Sequence, residues 1–356
     1  MLFSTPPLAA YGPALAELAD LQSRLGAQVS QATPWVGRLR RQARAATARS
    51  SVAIEGFSVS QKEAEAIVKG QTVAAGQDQR AFAGYALAMQ HVAVLAEDPT
   101  FGWSQRLLLD LHFETCSSDP KGKPGLLRTG PIYVTAPGGG VAYRGPSADE
   151  LPELLASLVA ELEAASDDAL VVVRAAMAHL NLVSIHPFND GNGRLSRIIQ
   201  SLLLARAGVL SPEFGSIEEY LARDTLRYYE VLREVQGGSY QPERSAEPWV
   251  AFCIEAHLVQ ARERISTLNR AADRWAVLEE LVAARGWPER LAIALEQSLF
   301  GGVDRASYTE EADVSPATAS ADLRRLVDAG FLEAKGKGRK TRYLAAASLS
   351  GLVGPR

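Results

Sequence analysis

The chain has 356 residues, 47% of them hydrophobic, a net charge of −4 and two cysteines. That is enough apolar chain to bury a sizeable core in two or three domains, and the 22% charged fraction argues against wholesale disorder. The charge balance excludes a global field favouring nucleic acid, and the cysteine count excludes a disulfide framework or a cysteine zinc site, so Cys116 and Cys253 read as small buried apolar side chains.

In chain order, the N-terminus MLFSTPPLAAYGPALAEL has no basic stretch before an apolar block. No apolar run reaches the roughly 18 residues a membrane span needs. No signal peptide, no membrane contact and a cytoplasmic location are therefore predicted. Ala and Leu abundance with apolar residues at i, i+3 and i+4 predicts helices over 13–30, 38–54, 60–70, 77–96 and 103–117, with Gly56 as a C-cap. Residues 118–147 are too rich in Gly and Pro for helix. Ile132-Tyr133-Val134 and Val141-Ala142-Tyr143 read there as a hairpin around Pro137-Gly138-Gly139-Gly140. Helices resume over 148–165, 167–185, from after Gly193 to about Ala207, 217–236 and 246–266. Over 270–350 the composition shifts. Short helices are predicted at 271–285, 289–300 and 307–312. A helix follows that Ser315 caps, Pro316 opens and Gly330 ends, and then an alternating hairpin from Phe331 to Leu344. That order resembles a winged helix-turn-helix.

The chemistry concentrates at residues 186–197, HPFNDGNGRLSR. An apolar helix runs into Pro187, a Gly-rich loop follows, and a new helix opens. A loop that ends in a helix N-terminus offers free N–H groups and partial positive charge, which suits an anion. Gly191 and Gly193 let the backbone approach phosphates. Arg194 and Arg197 sit in the first helical turn, where the dipole disfavours cations, and a bound polyphosphate explains that placement. Asp190 is a hard oxygen ligand suited to Mg²⁺, and His186 is a base that works near neutral pH. Packing accounts for a lone His. It does not account for His, Asp, Asn, two Gly and two Arg within twelve residues.

This segment resembles the signature loop of Fic/DOC proteins, HPFx[D/E]GN[G/K]R, and matches each specified position. The similarity covers residues about 40–265 in order and spacing. The resemblance implies a mainly α Fic-type helical core with a small β-hairpin flap, and a protein adenylyltransferase that moves AMP from ATP, with Mg²⁺, onto a Ser, Thr or Tyr hydroxyl of a protein. It implies His186 as the base and Asp190 as the metal ligand. Gly191, Asn192 and Gly193 would hold the α- and β-phosphates, Arg194 and Arg197 the β- and γ-phosphates, and Phe188 would pack beneath the loop. Tyr228, Tyr229 and Gln236 fall where the family contacts adenosine. Gly139, Gly140, Val141 and Ala142 would pin the target peptide as an added strand.

Residues 51–56, SVAIEG, resemble the family's inhibitory motif [S/T]xxxE[G/N]. Ser51 and Glu55 are i, i+4 and share a helix face. A Glu at a helix C-terminus needs a cation, and the resemblance names Arg197. Gly56 closes the motif, on a helix spanning about 40–56. The predicted division is an N-terminal helical region 1–98, a Fic core 99–266 and a winged helix 267–356. In the last, Arg324, Arg325, Lys335, Lys337, Arg339, Lys340 and Arg342 form a basic patch that suits DNA as readily as a protein partner. His91, His112, His179 and His257 read as packing residues. Two alternatives stay open beside transfer: removal of AMP, with Glu55 aligning a water, and a DNA-binding regulator whose core senses nucleotide. DOC-type phosphate transfer is disfavoured, because Gly193 stands where those proteins tend to carry Lys. The chain itself is one candidate target, and a homodimer is implied by analogy.

Overall fold

The structure is a computed structural model that describes residues 1–30, 33–135, 139–164, 170–208, 210–338 and 341–353. The expected turn at Pro137-Gly138, the helix ends within 165–169, and Arg339 and Lys340 lie outside the described residues.

In chain order the helices and strands are α1 (Gly12–Val29), α2 (Pro34–Ile54), α3 (Gln61–Val68), α4 (Gln77–Glu97), α5 (Gln105–Cys116), β1 (Tyr133–Thr135), β2 (Val141–Arg144), α6 (Leu151–Glu163), α7 (Val171–Ile185), α8 (Asn192–Arg206), α9 (Pro212–Gly215), α10 (Glu218–Arg223), α11 (Thr225–Gln236), α12 (Glu247–Ala283), α13 (Leu291–Leu299), α14 (Arg305–Glu311), α15 (Pro316–Asp328), β3 (Leu332–Lys335), β4 (Arg342–Ala345) and α16 (Ala347–Val353). The fold is mainly helical, as expected. Its described strands form two antiparallel pairs, β1 with β2 and β3 with β4. Among the described residues no helix is long and apolar enough to cross a membrane.

Several boundaries differ from the sequence expectation. α2 opens at Pro34, where proline suits a first helical turn. The helices expected at 246–266 and 271–285 are one, α12. No Gly or Pro interrupts the span between them, and Ile265, Leu268, Ala271, Leu278 and Val282 keep one buried stripe running. The helix expected over 217–236 breaks at Asp224, whose carboxylate accepts from the Arg227 N–H at 3.0 Å and so starts α11 afresh.

Two compact units result, Met1–Gln28 with Arg40–Arg264, and Val29–Leu39 with Ile265–Arg356. In the first, α7 and α8 pack against each other. Phe3, Ile54, Leu180, Tyr228, Val231 and Trp249 belong to its core cluster. α7 and α8 are buried nearly all round, which places the loop between them on a rigid base. The second unit centres on Leu278, Leu291, Leu295, Leu323, Leu326 and Leu349. There the buried Asp322 of α15 takes Arg290 at 2.7 Å and the Tyr308 hydroxyl at 3.1 Å. Arg324, Arg325, Lys335, Lys337 and Arg342 are exposed.

Beneath the loop runs a buried polar chain. The Tyr228 hydroxyl meets His179 Nε2 at 3.1 Å, His179 Nδ1 meets the Gln200 carbonyl oxygen at 2.8 Å, and the Gln200 amide nitrogen meets His257 Nε2 at 3.2 Å. Burial holds both imidazoles neutral, His179 at about 3 and His257 at about 4. The unfolded chain therefore takes up these protons first as the pH falls. Their contribution to stability is complete above the ordinary value of 6.5 and is lost as the pH drops toward 4. Two such groups should remove about 3 kcal/mol per pH unit in that window. Urea unfolding at pH 7.5 and 5.0 checks this, and equal stabilities at the two values would contradict it.

Candidate active site

The loop begins with a strained residue. α7 ends on His186, whose φ of 50° is left-handed, a conformation a β-carbon makes costly. The environment holds it there. The Arg128 Nε donates to the His186 carbonyl at 2.8 Å, and the Arg128 backbone N–H donates to the Pro187 carbonyl at 3.0 Å. The Arg128 guanidinium also donates to the carbonyls of Gly130 and Pro146 at 2.8 and 2.7 Å. The His186 Nδ1 lies 3.0 Å from the Val183 carbonyl. A carbonyl only accepts, so Nδ1 carries the proton and Nε2 keeps its lone pair. Burial lowers the His186 pKa and the Arg128 cation adds to this, while the Val183 carbonyl, Glu55 and Asp190 oppose it. The ring is thus a neutral base at neutral pH.

Asn192 closes the loop. Its carbonyl oxygen accepts from the Phe188 N–H at 3.0 Å and its amide donates to the Phe188 carbonyl at 2.9 Å. With both ends of that side chain engaged, the anion cradle is left to the backbone. Gly191, at φ 79°, precedes α8, whose first internal bond runs from Leu195 N–H to the Gly191 carbonyl. The N–H groups of Asn192, Gly193 and Arg194 come before that bond, at the positive end of the helix dipole. Gly191 could not be another residue, because an added β-carbon would lie 2.3 Å from the Cys116 sulfur.

Two arginines frame this cradle. Arg194 pairs with the half-exposed Asp190 at 2.7 Å, and its Nε has no hydrogen-bond partner among the described residues. The buried Arg197 donates to the Ser51 hydroxyl at 2.7 Å, the Ser51 carbonyl at 3.0 Å and the Glu55 carboxylate at 2.9 Å. Its remaining NH1 has no partner among the described residues. Buried donors without acceptors are rare, and an anion that supplies the acceptors resolves both. Asp190, paired with Arg194, gives one carboxylate at this loop, a donor type that suits Mg²⁺. Among the described residues no group of three or more His, Cys, Asp or Glu forms a cage for a metal by itself.

α2 delivers the opposing carboxylate. The helix ends at Ile54, and Gly56 at φ 87° turns the chain out, with Phe57 N–H bonded to the Val52 carbonyl at 3.1 Å. Ser51 and Glu55 both reach Arg197, the partner that the family resemblance implies for Glu55. Glu55 also lies hard against Gly193, where an added β-carbon would stand 2.6 Å from its carboxylate oxygen. A negative group from within the chain thus rests at the N-terminus of α8.

The remaining expected residues divide. Tyr229 is partly exposed and donates to the Ile54 carbonyl at 3.2 Å, at the end of α2. Tyr228 is buried on His179, and the Gln236 amide is buried and bonded to the Ser184 hydroxyl at 2.9 Å. Gly139, Gly140, Val141 and Ala142 lie at the hairpin. There β2 is anchored by the Tyr143 hydroxyl on the Ser184 carbonyl at 2.6 Å, and Arg144 N–H bonds to the Gly238 carbonyl at 3.0 Å. Sequence reasoning missed Arg128, and it read His112 as a packing residue. Arg128 lies in residues 123–130, KPGLLRTG, which resemble the family's segment leading into the flap, but that resemblance assigns the arginine no role. His112, on the buried face of α5, stacks on Phe188 with ring centroids 3.7 Å apart.

The loop at 186–197 lies within the stretch of the chain that resembles known proteins. Residues 103–204 match the model of the Fic/DOC family. The chain is 28% identical over 212 residues to "Protein adenylyltransferase Fic" of Culex quinquefasciatus, covering 58% of this chain and 39% of that protein. It is 29% identical over 216 residues to the protein of the same name in Drosophila willistoni, with the same coverage. The chain therefore spans about two fifths of the length of these curated relatives. A Fic family protein from Desulfovibrio desulfuricans G20 shares the fold, with a TM-score of 0.64, 22% identity and 98% of each chain covered. Fic-1 from C. elegans superposes with a TM-score of 0.56 and 23% identity over 72% of each chain. The signature loop and these matches identify a Fic/DOC family domain in residues 103–204, and the helical fold around it is shared with the matched Fic structures.

Proposed function

We propose that the chain is a protein adenylyltransferase that uses ATP and Mg²⁺, held down by Glu55. The observation that carries this is the loop at 186–197. It holds a neutral His186 with Nε2 unprotonated, the N-terminal N–H groups of α8, and the Arg194 Nε and Arg197 NH1, which have no hydrogen-bond partner among the described residues. The names of the curated relatives point the same way.

In this reading the α8 N-terminus and the two arginines hold the triphosphate. Bound Mg²⁺ would neutralise phosphate charge, with Asp190 as its protein ligand. The target hydroxyl gives its proton to His186 Nε2 as its oxygen forms a bond to the α-phosphorus. The bond from that phosphorus to the bridging oxygen breaks, and pyrophosphate leaves with the electron pair. Positioning and charge stabilisation supply most of the rate. Tyr229, the partly exposed member of the Tyr pair, would be the one to meet adenosine. Val141 and Ala142 offer a strand edge for the target segment. The target is a protein Ser, Thr or Tyr hydroxyl, and this chain is one candidate.

Incubation with Mg²⁺ and either α- or γ-³²P-ATP tests the reaction type. Label from the α-phosphate alone is expected, and label from the γ-phosphate would assign phosphate transfer instead. Removal of AMP is a second reading. Glu55 keeps 23% of its side chain exposed beside the loop, which would let its carboxylate orient a water. The exposed Lys335 on β3, Lys337 just past it and Arg342 on β4, with Arg324 and Arg325 on α15, support a winged helix that contacts an anionic partner. A gel shift whose affinity falls steeply with salt would assign that partner as DNA.

A further inference from the structure

His112 is bonded at both ring nitrogens. The Gly125 N–H donates to His112 Nδ1 at 2.9 Å, so Nδ1 accepts and the ring proton sits on Nε2. That Nε2–H donates to the Asp190 carbonyl at 2.9 Å. The ring lies flat on Phe188, 8° from parallel. Its Nε2 would be 3.2 Å from a β-carbon at Gly191, so it also backs the residue that precedes α8. One side chain from α5 thereby touches Phe188, Asp190 and Gly191, and ties them to Gly125 in the segment before the flap. A residue that merely filled the core would need neither polar bond.

We infer that His112 is a positioning residue for the transfer site: its two bonds and its stack on Phe188 set where the Asp190 carboxylate stands, and so how the site takes a metal–diphosphate. This rests on the adenylyl-transfer reading above. The ring itself touches neither substrate nor metal. It fixes the loop that does, as outer-shell partners of metal ligands do.

The test uses the full chain in the Glu55→Gly background, with His112→Phe and His112→Gln added singly. His112→Phe keeps the stacked ring and loses both polar bonds. His112→Gln keeps a donor near Nε2. Calorimetric titration with ADP is run with Mg²⁺ and with EDTA. The Glu55→Gly parent should bind ADP more tightly with Mg²⁺. In His112→Phe that advantage should fall about tenfold or more while metal-free binding changes little, and His112→Gln should restore part of it. An unchanged Mg²⁺ advantage in a folded His112→Phe overturns the inference. If the parent binds no ADP under either condition, the transfer reading itself fails, and this inference falls with it. Should His112→Phe not fold, the wild-type protein still decides. Long-range ¹H–¹⁵N spectra of ¹⁵N-histidine-labelled chain should show His112 as the Nε2–H tautomer with a slowly exchanging proton. An Nδ1–H tautomer or fast exchange overturns the inference.

Discussion

The Glu55→Gly variant should transfer AMP about 10²–10³ times faster than the wild-type chain, the range that one charge-stabilising donor is worth in an active site. The reason is local. Glu55 takes one donor of Arg197 at 2.9 Å and presses on Gly193 at the mouth of the α8 N-terminus. A carboxylate there would repel a triphosphate, and it occupies the guanidinium that the proposed mechanism gives to the phosphates. Removing it leaves Arg197 held from one side by Ser51, through bonds of 2.7 and 3.0 Å. The arginine stays placed while its other face opens. The fold should tolerate the change, because Glu55 lies one residue past α2 and is partly exposed. Initial rates with α-³²P-ATP read the effect. A rate equal to wild type would mean that Glu55 is no brake.

Arg128→Met should be the most damaging single change in stability, lowering it by about 3–5 kcal/mol. Arg128 is 3% exposed, yet no carboxylate is among its hydrogen-bond partners. Its guanidinium answers the carbonyls of His186, Gly130 and Pro146, all at 2.7–2.8 Å. Methionine fills the volume and leaves those acceptors unpaired in a place water reaches poorly. The left-handed His186 loses its anchor as well, so transfer should fall together with stability. Thermal melting should drop by about 10 °C for a unit of this size. Arg128→Lys should recover less than half, since a single ammonium cannot match the planar fork. Melting within about 2 °C of wild type for Arg128→Met would contradict this account of the loop.

The contrast between Glu55 and Arg128 explains what the sequence made legible. The loop could be read because its parts are contiguous: a stop at Pro187, two glycines and two arginines one turn apart need no tertiary knowledge. Ser51 and Glu55 could be read because four-residue spacing places them on one helix face. The bonds that tie Arg128 and His112 to the loop span 58 and 78 residues, and no local spacing predicts them. His112 sits among Leu108, Leu111 and Cys116 on α5, the pattern of an ordinary buried stripe. Tyr228 and Tyr229 show a related limit. Successive helix residues point about 100° apart, so one ring of an adjacent pair turns to the core while its neighbour faces out. The family pattern names both, and the packing of α11 on Trp249 separates them. The length of α12 escaped for the opposite reason: its stripe is uninterrupted, and a shift in composition was read as a break.

The most direct measurement is the α-³²P-ATP label acquired by Glu55→Gly compared with Glu55→Gly/His186→Ala, in Mg²⁺ and with both variants shown to fold. His186 Nε2 is the proposed acceptor of the target proton, and such a base is worth about 10²–10⁴-fold. The expected result is strong labelling of the single variant and none above background in the double. Equal labelling of the two would contradict His186 as the base, and with it the central claim.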